Sequence, residues 1–254
     1  MCVKKYIVVT GASSGIGYET AKAFAGRGKN LIVCARRVEK LEQLKREIQQ
    51  QRPDVDVVVK AVDLSDEKAT VDFYYSLSGY EIETFVNNAG LGNNGDITKP
   101  DLKHNIRMLH VNVNALALLS MLYVADYKDT EGAQLINVAS SAGYVMFPGC
   151  TLYGATKFFA SSFTEGIDME MQAGGHKLRA KVLAPGATET EFEQAAHESG
   201  EKVDYTAKFP RFHTAAQMAG FLLDLYDGDK TVGEIDFTTF KIKLTEAKHP
   251  ALNF

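Results

Sequence analysis

The sequence lacks the features that mark several classes of protein. Its three cysteines, Cys2, Cys34 and Cys150, are odd in number and form no CxxC pair, which favours reduced thiols over a disulfide framework. The six histidines show no metal-ligand spacing, so we expect no metal site. No stretch approaches the roughly 20 apolar residues that span a bilayer, and the apolar run near the amino terminus is too short for a signal peptide.

The chain also lacks an excess of positive charge and any repeat or linker. It has 28 Lys and Arg against 32 Asp and Glu, a formal net charge of −4. A nucleic-acid or anionic-membrane partner needs a basic face, so neither is expected. Its 254 residues are 45% hydrophobic and 24% charged. These values predict one globular domain spanning the chain, and the reduced thiols fit the cytoplasm.

What the sequence has is a regular alternation of short apolar runs with helical patterns. Strands are predicted at 4–10, 31–35, 55–62, 82–86, 135–139 and 178–183. Helices are predicted at 18–28, 38–51, 65–77 (capped by Ser65), 100–127, 151–173 and 214–226. Residues 234–244 alternate like two strands joined by a turn. Six β-α alternations predict an α/β fold with a doubly wound parallel sheet, which is Rossmann-like and binds ligands at the carboxyl ends of its strands.

Two early segments indicate a dinucleotide site. Gly11, Gly15 and Gly17 lie between the first strand and the first helix, where backbone amides can approach a pyrophosphate. The second strand ends at Arg36 and Arg37, with no carboxylate to hold the ribose of NAD. An arginine suits the 2′-phosphate of NADP, although solvated charges before the next helix are the alternative.

A third segment carries acid–base chemistry. The strand at 135–139 ends at Ser140 and Ser141, and Tyr153 and Lys157 follow at i and i+4 on one helix face. A neighbouring ammonium lowers the pKa of a phenol from about 10, so the phenol can exchange a proton with a carbonyl or an alcohol. A serine hydroxyl can hold the carbonyl oxygen. Alone, a YxxxK spacing also fits a surface lysine beside a half-buried tyrosine.

Together these motifs resemble the short-chain dehydrogenase/reductase family over about residues 4–190. The motifs, in order, are TGxxxGxG at 10–17, Asp63-Leu64, NNAG at 87–90, Asn112, Ser140, Tyr153-xxx-Lys157 and Pro185-Gly186-xxx-Thr190. Each is weak singly, but the order and spacing are very specific. The resemblance implies an oxidoreductase that transfers a hydride between NADP(H) and a carbonyl or alcohol substrate, of the carbonyl reductase type.

The resemblance also implies residue roles. Tyr153 would be the proton donor or acceptor, and Lys157 would lower its pKa and bind the nicotinamide ribose. Ser140 would polarise the carbonyl, with Ser141 a structural neighbour, and Asn112 would hold a water-linked proton relay. The implied cofactor contacts are Gly11, Ser13, Ser14, Gly15, Ile16, Gly17, Arg36, Arg37, Asp63, Leu64, Asn87, Ala89, Gly90, Tyr153, Lys157, Pro185, Gly186, Thr188 and Thr190.

Substrate and assembly are less constrained. Residues 190–213 are charged and irregular, and we expect a flap over the site. An apolar pocket for the substrate is expected from Leu91, Tyr144, Val145, Met146, Phe147 and Phe192, with Cys150 a packed thiol nearby. The family implies a homodimer through helices 100–127 and 151–173, with Leu116, Leu119, Phe159 and Phe163 as apolar positions. Residues 233–254 lack the Gly-rich strand that helps to build tetramers, so a tetramer is uncertain.

Two alternatives stay open at this point. A cofactor-binding sensor or scaffold would keep the fold without turnover, yet Asn112, Ser140, Tyr153 and Lys157 are all present. Longer epimerases and dehydratases of related type use a different glycine spacing and a substrate domain for which this chain has no room.

Overall fold

A mostly parallel sheet forms the centre of the fold. The computed structural model describes residues 4–93, 95–196 and 204–250, so Cys2 and part of the expected flap lie outside the described residues. The strands are β1 (Lys5–Thr10), β2 (Asn30–Ala35), β3 (Val57–Ala61), β4 (Glu81–Asn87), β5 (Gln134–Val138), β6 (Arg179–Ala184), β7 (Thr188–Glu189), β8 (His213–Thr214), β9 (Val232–Asp236) and β10 (Lys241–Thr245). The main sheet has the order β10-β9-β6-β5-β4-β1-β2-β3.

The pairing confirms the predicted α/β fold with a doubly wound sheet. Neighbouring strands are parallel except β10, which is antiparallel to β9 and forms the predicted carboxyl-terminal strand pair. Helices cover both faces, and the central strands are therefore apolar throughout: Ile7, Val8 and Val9 are fully buried. The chain runs from β1 outwards to β3 and then returns to β4 beside β1. The carboxyl ends of β1 and β4 therefore border a crevice, the usual ligand site of such sheets.

The helices follow the predicted order with shifted ends. They are α1 (Gly15–Gly26), α2 (Val38–Gln51), α3 (Glu67–Tyr75), α4 (Leu102–Leu109), α5 (Leu116–Tyr127), α6 (Thr151–Ala173), α7 (Glu191–Ala196), α8 (Tyr205–Lys208) and α9 (Ala215–Asp227). The prediction that Ser65 caps the third helix is wrong. Asp66 is the cap, since its carboxylate accepts a hydrogen bond from the Ala69 amide at 2.8 Å. The Ser65 hydroxyl donates to Asp63 instead, at 2.8 Å.

The predicted long helix at 100–127 is continuous from Leu102 to Tyr127 but has a π-helical segment, His110–Ala115, between α4 and α5. By length and composition this helix could cross a membrane. However, Leu116, Leu119 and Tyr123 are buried against the sheet, which is the packing of a core helix. Of the apolar positions considered for a dimer interface, Leu116 and Leu119 therefore face the sheet instead.

The carboxyl-terminal tail is fastened to α6 by one buried carboxylate. Glu165 is 3% exposed, and it accepts hydrogen bonds from the backbone amides of Lys248 and His249 at 2.5 and 2.8 Å. It also accepts one from the Tyr144 hydroxyl at 2.5 Å. The His249 ring stacks on the Tyr144 ring with a centroid distance of 5.5 Å. The loop after β5 and the end of the chain are thus held to the same point on α6.

Candidate active site

A cavity of about 1210 Å³ lies at the carboxyl ends of the central strands. The glycine turn and the end of β2 form one end of it, and the residues after β5 and the start of α6 form the other. Most of the residues expected to bind the cofactor line this cavity. They are Gly11, Ser13, Ser14, Gly15, Ile16, Arg36, Arg37, Asp63, Leu64, Ala89, Gly90, Tyr153, Lys157, Pro185, Gly186, Thr188 and Thr190.

The glycine turn has two kinds of glycine. Gly11 has φ +67°, and a Cβ there would lie 2.8 Å from the Ala89 Cα, so only glycine fits. Gly17 does not line the cavity. A Cβ on it would lie 2.3 Å from Nδ2 of Asn88, whose side chain also donates to the Thr10 carbonyl at 2.9 Å. The expected cofactor contact of Gly17 is therefore replaced by a packing role between α1 and the end of β4.

Asn87 is a second expected cofactor contact that faces elsewhere. Its Nδ2 donates to the Ser120 hydroxyl at 3.1 Å and to Oδ1 of Asn137 at 3.0 Å. All three side chains are buried between the sheet and α5. The sequence motif did not show which of the two asparagines faces the cavity, because consecutive strand residues point to opposite faces of the sheet. Asn87 stabilises the β4–β5 pair, whereas Asn88 lines the cavity.

The two arginines after β2 have different surroundings. Arg36 makes no hydrogen bond or ion pair with the described residues, and its pKa is lowered by burial and by the nearby Arg107 and Arg37. Arg37 donates to the Ser13 and Ser14 hydroxyls at 3.1 and 2.9 Å. Its remaining terminal nitrogen pairs with the Glu191 carboxylate at 2.9 Å. Arg36 therefore has Asp63 nearby but makes no direct hydrogen bond or ion pair with the described residues, while Arg37 is already engaged.

Asp63 lies beside these arginines. It pairs with Arg107 at 2.9 Å and accepts hydrogen bonds from the amide and hydroxyl of Ser65. Burial opposes ionisation of this carboxyl, but the hydrogen bonds and the arginine charges outweigh it and lower the pKa of Asp63. Arg107 was not identified from the sequence, because no motif places α4 next to the end of β3.

Ser140, Tyr153 and Lys157 converge at the other end of the cavity. Ser140 ends β5 and caps a short 3₁₀ turn, Ser141–Gly143, with its hydroxyl accepting from the Ala142 amide at 3.1 Å. Its side chain is also close enough to Tyr153 to influence the pKa of the phenol. One helical turn on, the Lys157 Nζ lies 5.8 Å from the centroid of the Tyr153 ring. It donates to the Val138 carbonyl at 3.0 Å.

Burial dominates the electrostatics of this trio. It raises the pKa of Tyr153, which the nearby Ser140 side chain lowers only in part. It also lowers the pKa of Lys157 to about 8. The expectation that Lys157 brings the pKa of Tyr153 below its ordinary value is thus not met in this structure. The phenol is held in its protonated form, and the amine is close to losing its charge at neutral pH.

Asn112 is buried next to the trio and does not line the cavity. Its Nδ2 donates to the Leu91 carbonyl at 2.8 Å and to the Thr156 hydroxyl at 3.0 Å, and its Oδ1 accepts from the Leu91 amide at 2.8 Å. Both amide hydrogens are therefore taken. The side chain fixes the segment after β4 against the long helix, which explains a buried asparagine in a helix but opposes the expected proton relay through this side chain.

The substrate end of the cavity is rich in aromatic rings. Of the residues expected there, Leu91, Phe147 and Phe192 line the cavity, and the Phe192 ring centroid is 5.7 Å from that of Tyr153. Tyr144, Val145 and Met146 do not line the cavity. The Tyr144 side chain points towards Glu165 instead. The sequence reasoning missed Phe209, Phe237 and Phe240, because they come from distant segments without a motif. Cys150 also lines the cavity, and burial raises the pKa of its thiol.

The described part of the expected flap contains α7 and α8, and β7 and β8 pair at its base. Residues 197–203 lie outside the described residues. Within the described chain, no three His, Cys, Asp or Glu side chains come together as metal ligands would.

Comparison with known proteins agrees with this geometry. The family model described as short chain dehydrogenase matches residues 5–201. An uncharacterised oxidoreductase of Staphylococcus saprophyticus is 34% identical over 204 residues, covering 79% of this chain and 80% of the relative. Sulfoacetaldehyde reductase 2 of Chromohalobacter salexigens is 34% identical over 190 residues, covering 73% of each.

Among solved structures, the short-chain dehydrogenase of Sphingobium yanoikuyae in complex with NADPH superposes with a TM-score of 0.82 at 25% identity, covering 92% of this chain and 88% of that one. The family resemblance inferred from the motifs is thus confirmed. The chain belongs to the short-chain dehydrogenase/reductase family and is an oxidoreductase of that family.

Proposed function

We propose that this protein is an NADP(H)-dependent carbonyl reductase that also runs in reverse as an alcohol dehydrogenase, with Tyr153 exchanging the proton. One observation carries the proposal. The Ser140 and Tyr153 side chains lie together in a cavity whose other end is the glycine turn and Arg36. A proton donor and a dinucleotide-binding turn in one cavity are the two parts that this chemistry needs.

The residues present fit NADP(H). The cradle at Gly11 is too tight for a Cβ, so backbone comes close enough for a phosphate contact. Arg36 offers a guanidinium that no described side chain hydrogen-bonds, where a 2′-phosphate would lie, and β2 itself does not end in a carboxylate. The NADPH complex of the Sphingobium relative supports the same cofactor. When bound, the nicotinamide supplies or accepts the hydride.

Tyr153 and Ser140 have separable tasks during reduction. The raised pKa of Tyr153 keeps the phenol protonated, so it can donate its proton to a substrate oxygen as negative charge grows there. The Ser140 hydroxyl, held by the backbone of its turn, can donate to the same oxygen and orient it. In oxidation the tyrosine has to act as the phenolate, which burial disfavours in the described chain. The geometry therefore favours reduction as the easier direction near neutral pH.

Lys157 has a supporting task. Only one of its ammonium hydrogens is committed to the Val138 carbonyl. The others can donate to the ribose hydroxyls of the cofactor, and the charge can stabilise a phenolate left on Tyr153. Its low pKa, about 8, lets it return a proton without a large energetic cost.

The ring of phenylalanines supports a bulky apolar carbonyl compound as substrate. Phe147, Phe192, Phe209, Phe237 and Phe240 all line the cavity, and the Phe192 ring lies against that of Tyr153. Such a lining gains free energy from burying an apolar substrate body. The relative from Chromohalobacter is named for a small sulfonated aldehyde, and the aromatic lining here points to a larger, less polar molecule.

Assembly as a homodimer in the cytoplasm belongs to the same proposal. Leu102 and Ile106 are 65% and 54% exposed, one turn apart on α4. Phe159 and Phe163 on α6 are partly buried and stack on each other at 5.2 Å. The exposed apolar row on α4 favours pairing with a second copy. Sedimentation at micromolar concentration should show a dimer, and a single 27.9 kDa species would contradict it. Cys34 is a buried reduced thiol, which supports a reducing compartment.

Replacing Tyr153 by phenylalanine tests the catalytic assignment. The ring stays and the proton donor is lost, so turnover should fall at least about 100-fold, the lower value for positioned acid catalysis. NADPH binding, followed by the fluorescence of the reduced nicotinamide, should be kept. Tyr18→Phe is the matched control, because it removes a hydroxyl bonded to Glu47 on α2, outside the cavity. A Tyr153→Phe enzyme with near wild-type turnover would move the chemistry elsewhere. An inactive wild type that still binds NADPH would favour a sensor.

Replacing Arg36 by alanine tests the cofactor assignment. We expect the wild type to prefer NADPH over NADH and the variant to lose about ten- to a hundredfold in NADPH affinity, as for one charge-assisted contact. NADH affinity should change little. Arg46→Ala removes the same charge from the exposed side of α2 and should leave both affinities unchanged. A wild type without preference, or an Arg36→Ala protein that keeps it, would contradict the role of Arg36.

Lys157 should also make the free energy of unfolding depend on pH. Its pKa falls from an ordinary 10.5 in the unfolded chain to about 8 in the folded one. Between these values the unfolded state binds the extra proton, so the free energy of unfolding rises with pH. Relative to Lys157→Met, the wild type should gain up to about 3 kcal/mol between pH 7 and pH 10 in urea unfolding. Lys103→Met, on the exposed side of α4, is the control. A flat difference would mean that Lys157 is not a buried, strained cation.

A further inference from the structure

The Glu191 carboxylate links the start of α7 to the glycine turn, and Glu191 belongs to none of the cofactor motifs. Glu191 begins α7 directly after Thr190, and its carboxylate lies 2.9 Å from the Arg37 guanidinium. Burial opposes ionisation of this carboxyl, but the nearby Arg37 and Ser14 side chains lower its pKa. Thr190 presses on the turn itself, since a Cβ on Gly15 would lie 3.0 Å from its Cγ2. The first residues of α7 therefore pack against the glycine turn.

This contact contributes little to folding stability. The Arg37 and Glu191 side chains are 41% and 53% exposed, and ion pairs this open are weak because water screens them. Its position is more informative than its strength. Ser13, Ser14, Arg37 and Glu191 all line the cavity on the side of Arg36. Glu191 thus places a negative charge where the phosphate of the cofactor is expected.

A phosphate and a carboxylate cannot both use the same guanidinium without repelling each other. Arg37 divides its donors between the Ser13 and Ser14 hydroxyls and Glu191. A 2′-phosphate bound by Arg36 would carry about two negative charges into this cluster. It would draw Arg37 away from Glu191, because the phosphate offers more charge and more acceptor oxygens than the carboxylate.

We propose that Glu191 is a counter-ion of Arg37 that competes with the 2′-phosphate of NADP(H) and so sets the affinity and selectivity for this cofactor. The inference rests on the proposed NADP(H) site. Phosphate binding releases Glu191, and the start of α7 becomes free to move. Phe192 is the next residue and lies against Tyr153, so the same exchange connects cofactor binding to the substrate end of the cavity.

The test is a set of equilibrium titrations with NADPH and NADH, followed by nicotinamide fluorescence. Glu191→Gln keeps the shape of the side chain and removes its charge. We expect it to bind NADPH about three- to tenfold more tightly than the wild type, the size expected for one partly exposed charge interaction. NADH lacks the 2′-phosphate, so its affinity should change less than about twofold. NADH binding also shows that each variant is folded.

Two controls separate this proposal from a general charge effect. Glu189→Gln removes an exposed carboxylate two residues earlier, on β7, and should leave NADPH affinity unchanged. In an Arg37→Gln background, Glu191→Gln should no longer tighten NADPH binding, because the contested guanidinium is gone. Equal tightening by Glu189→Gln, equal tightening for NADH, or a gain that persists without Arg37 would each overturn the proposal.

The outcomes also separate this inference from the proposed function. A wild type that prefers NADPH, together with a Glu191→Gln protein that binds NADPH no more tightly, would refute only the competition. A wild type that does not discriminate between the two cofactors would refute the NADP(H) assignment on which the competition rests.

Discussion

The proposed catalytic site depends on a contact between two backbones. A Cβ on Gly143 would lie 2.5 Å from the Lys157 carbonyl, so the turn after β5 packs directly on the backbone of α6. The Ser161 hydroxyl reinforces this approach by donating to the Gly143 carbonyl at 2.8 Å. Ser140 stands at the start of that turn, and Tyr153 and Lys157 stand on that helix. The close approach brings the two side chains together, because it fixes the turn against the helix through rigid backbone.

Residues outside the cavity stabilise this contact, and residues inside the cavity depend on it for their burial. Outside, Glu165 anchors Tyr144 and the backbone of His249, so the tail that departs from the family pattern braces the same turn. Inside, the turn and helix bury an amine and a phenol together, and burial shifts both towards their neutral forms. A neutral phenol beside an amine that titrates near neutrality is suited to handing over a proton. The charged groups at the other end serve the cofactor.

Much of this arrangement could be predicted from the sequence, because its motifs are local. The apolar strands, the glycine turn and the i, i+4 pair of Tyr153 and Lys157 are set by short-range geometry. The motifs did not predict which way each side chain points. Gly17, Asn87 and Asn112 lie in the expected places but face packing contacts, because a shift of one residue in a strand or helix reverses what a side chain meets.

Other features could not be predicted because they depend on distant segments. Phe237 and Phe240 reach the cavity from the carboxyl-terminal strand pair, and Arg107 reaches Asp63 from α4. Burial of Lys157 is likewise a property of the whole fold, so spacing alone gave the wrong direction for the pKa of Tyr153.

The most direct test of the proposed chemistry is to mix the enzyme with NADPH deuterated at nicotinamide C4, on either face, and a panel of bulky aryl ketones. Mass spectrometry should find deuterium on the carbinol carbon of the alcohol product, formed at least about 100-fold more slowly by Tyr153→Phe. No labelled alcohol from any ketone, or equal labelling by both proteins, would contradict it.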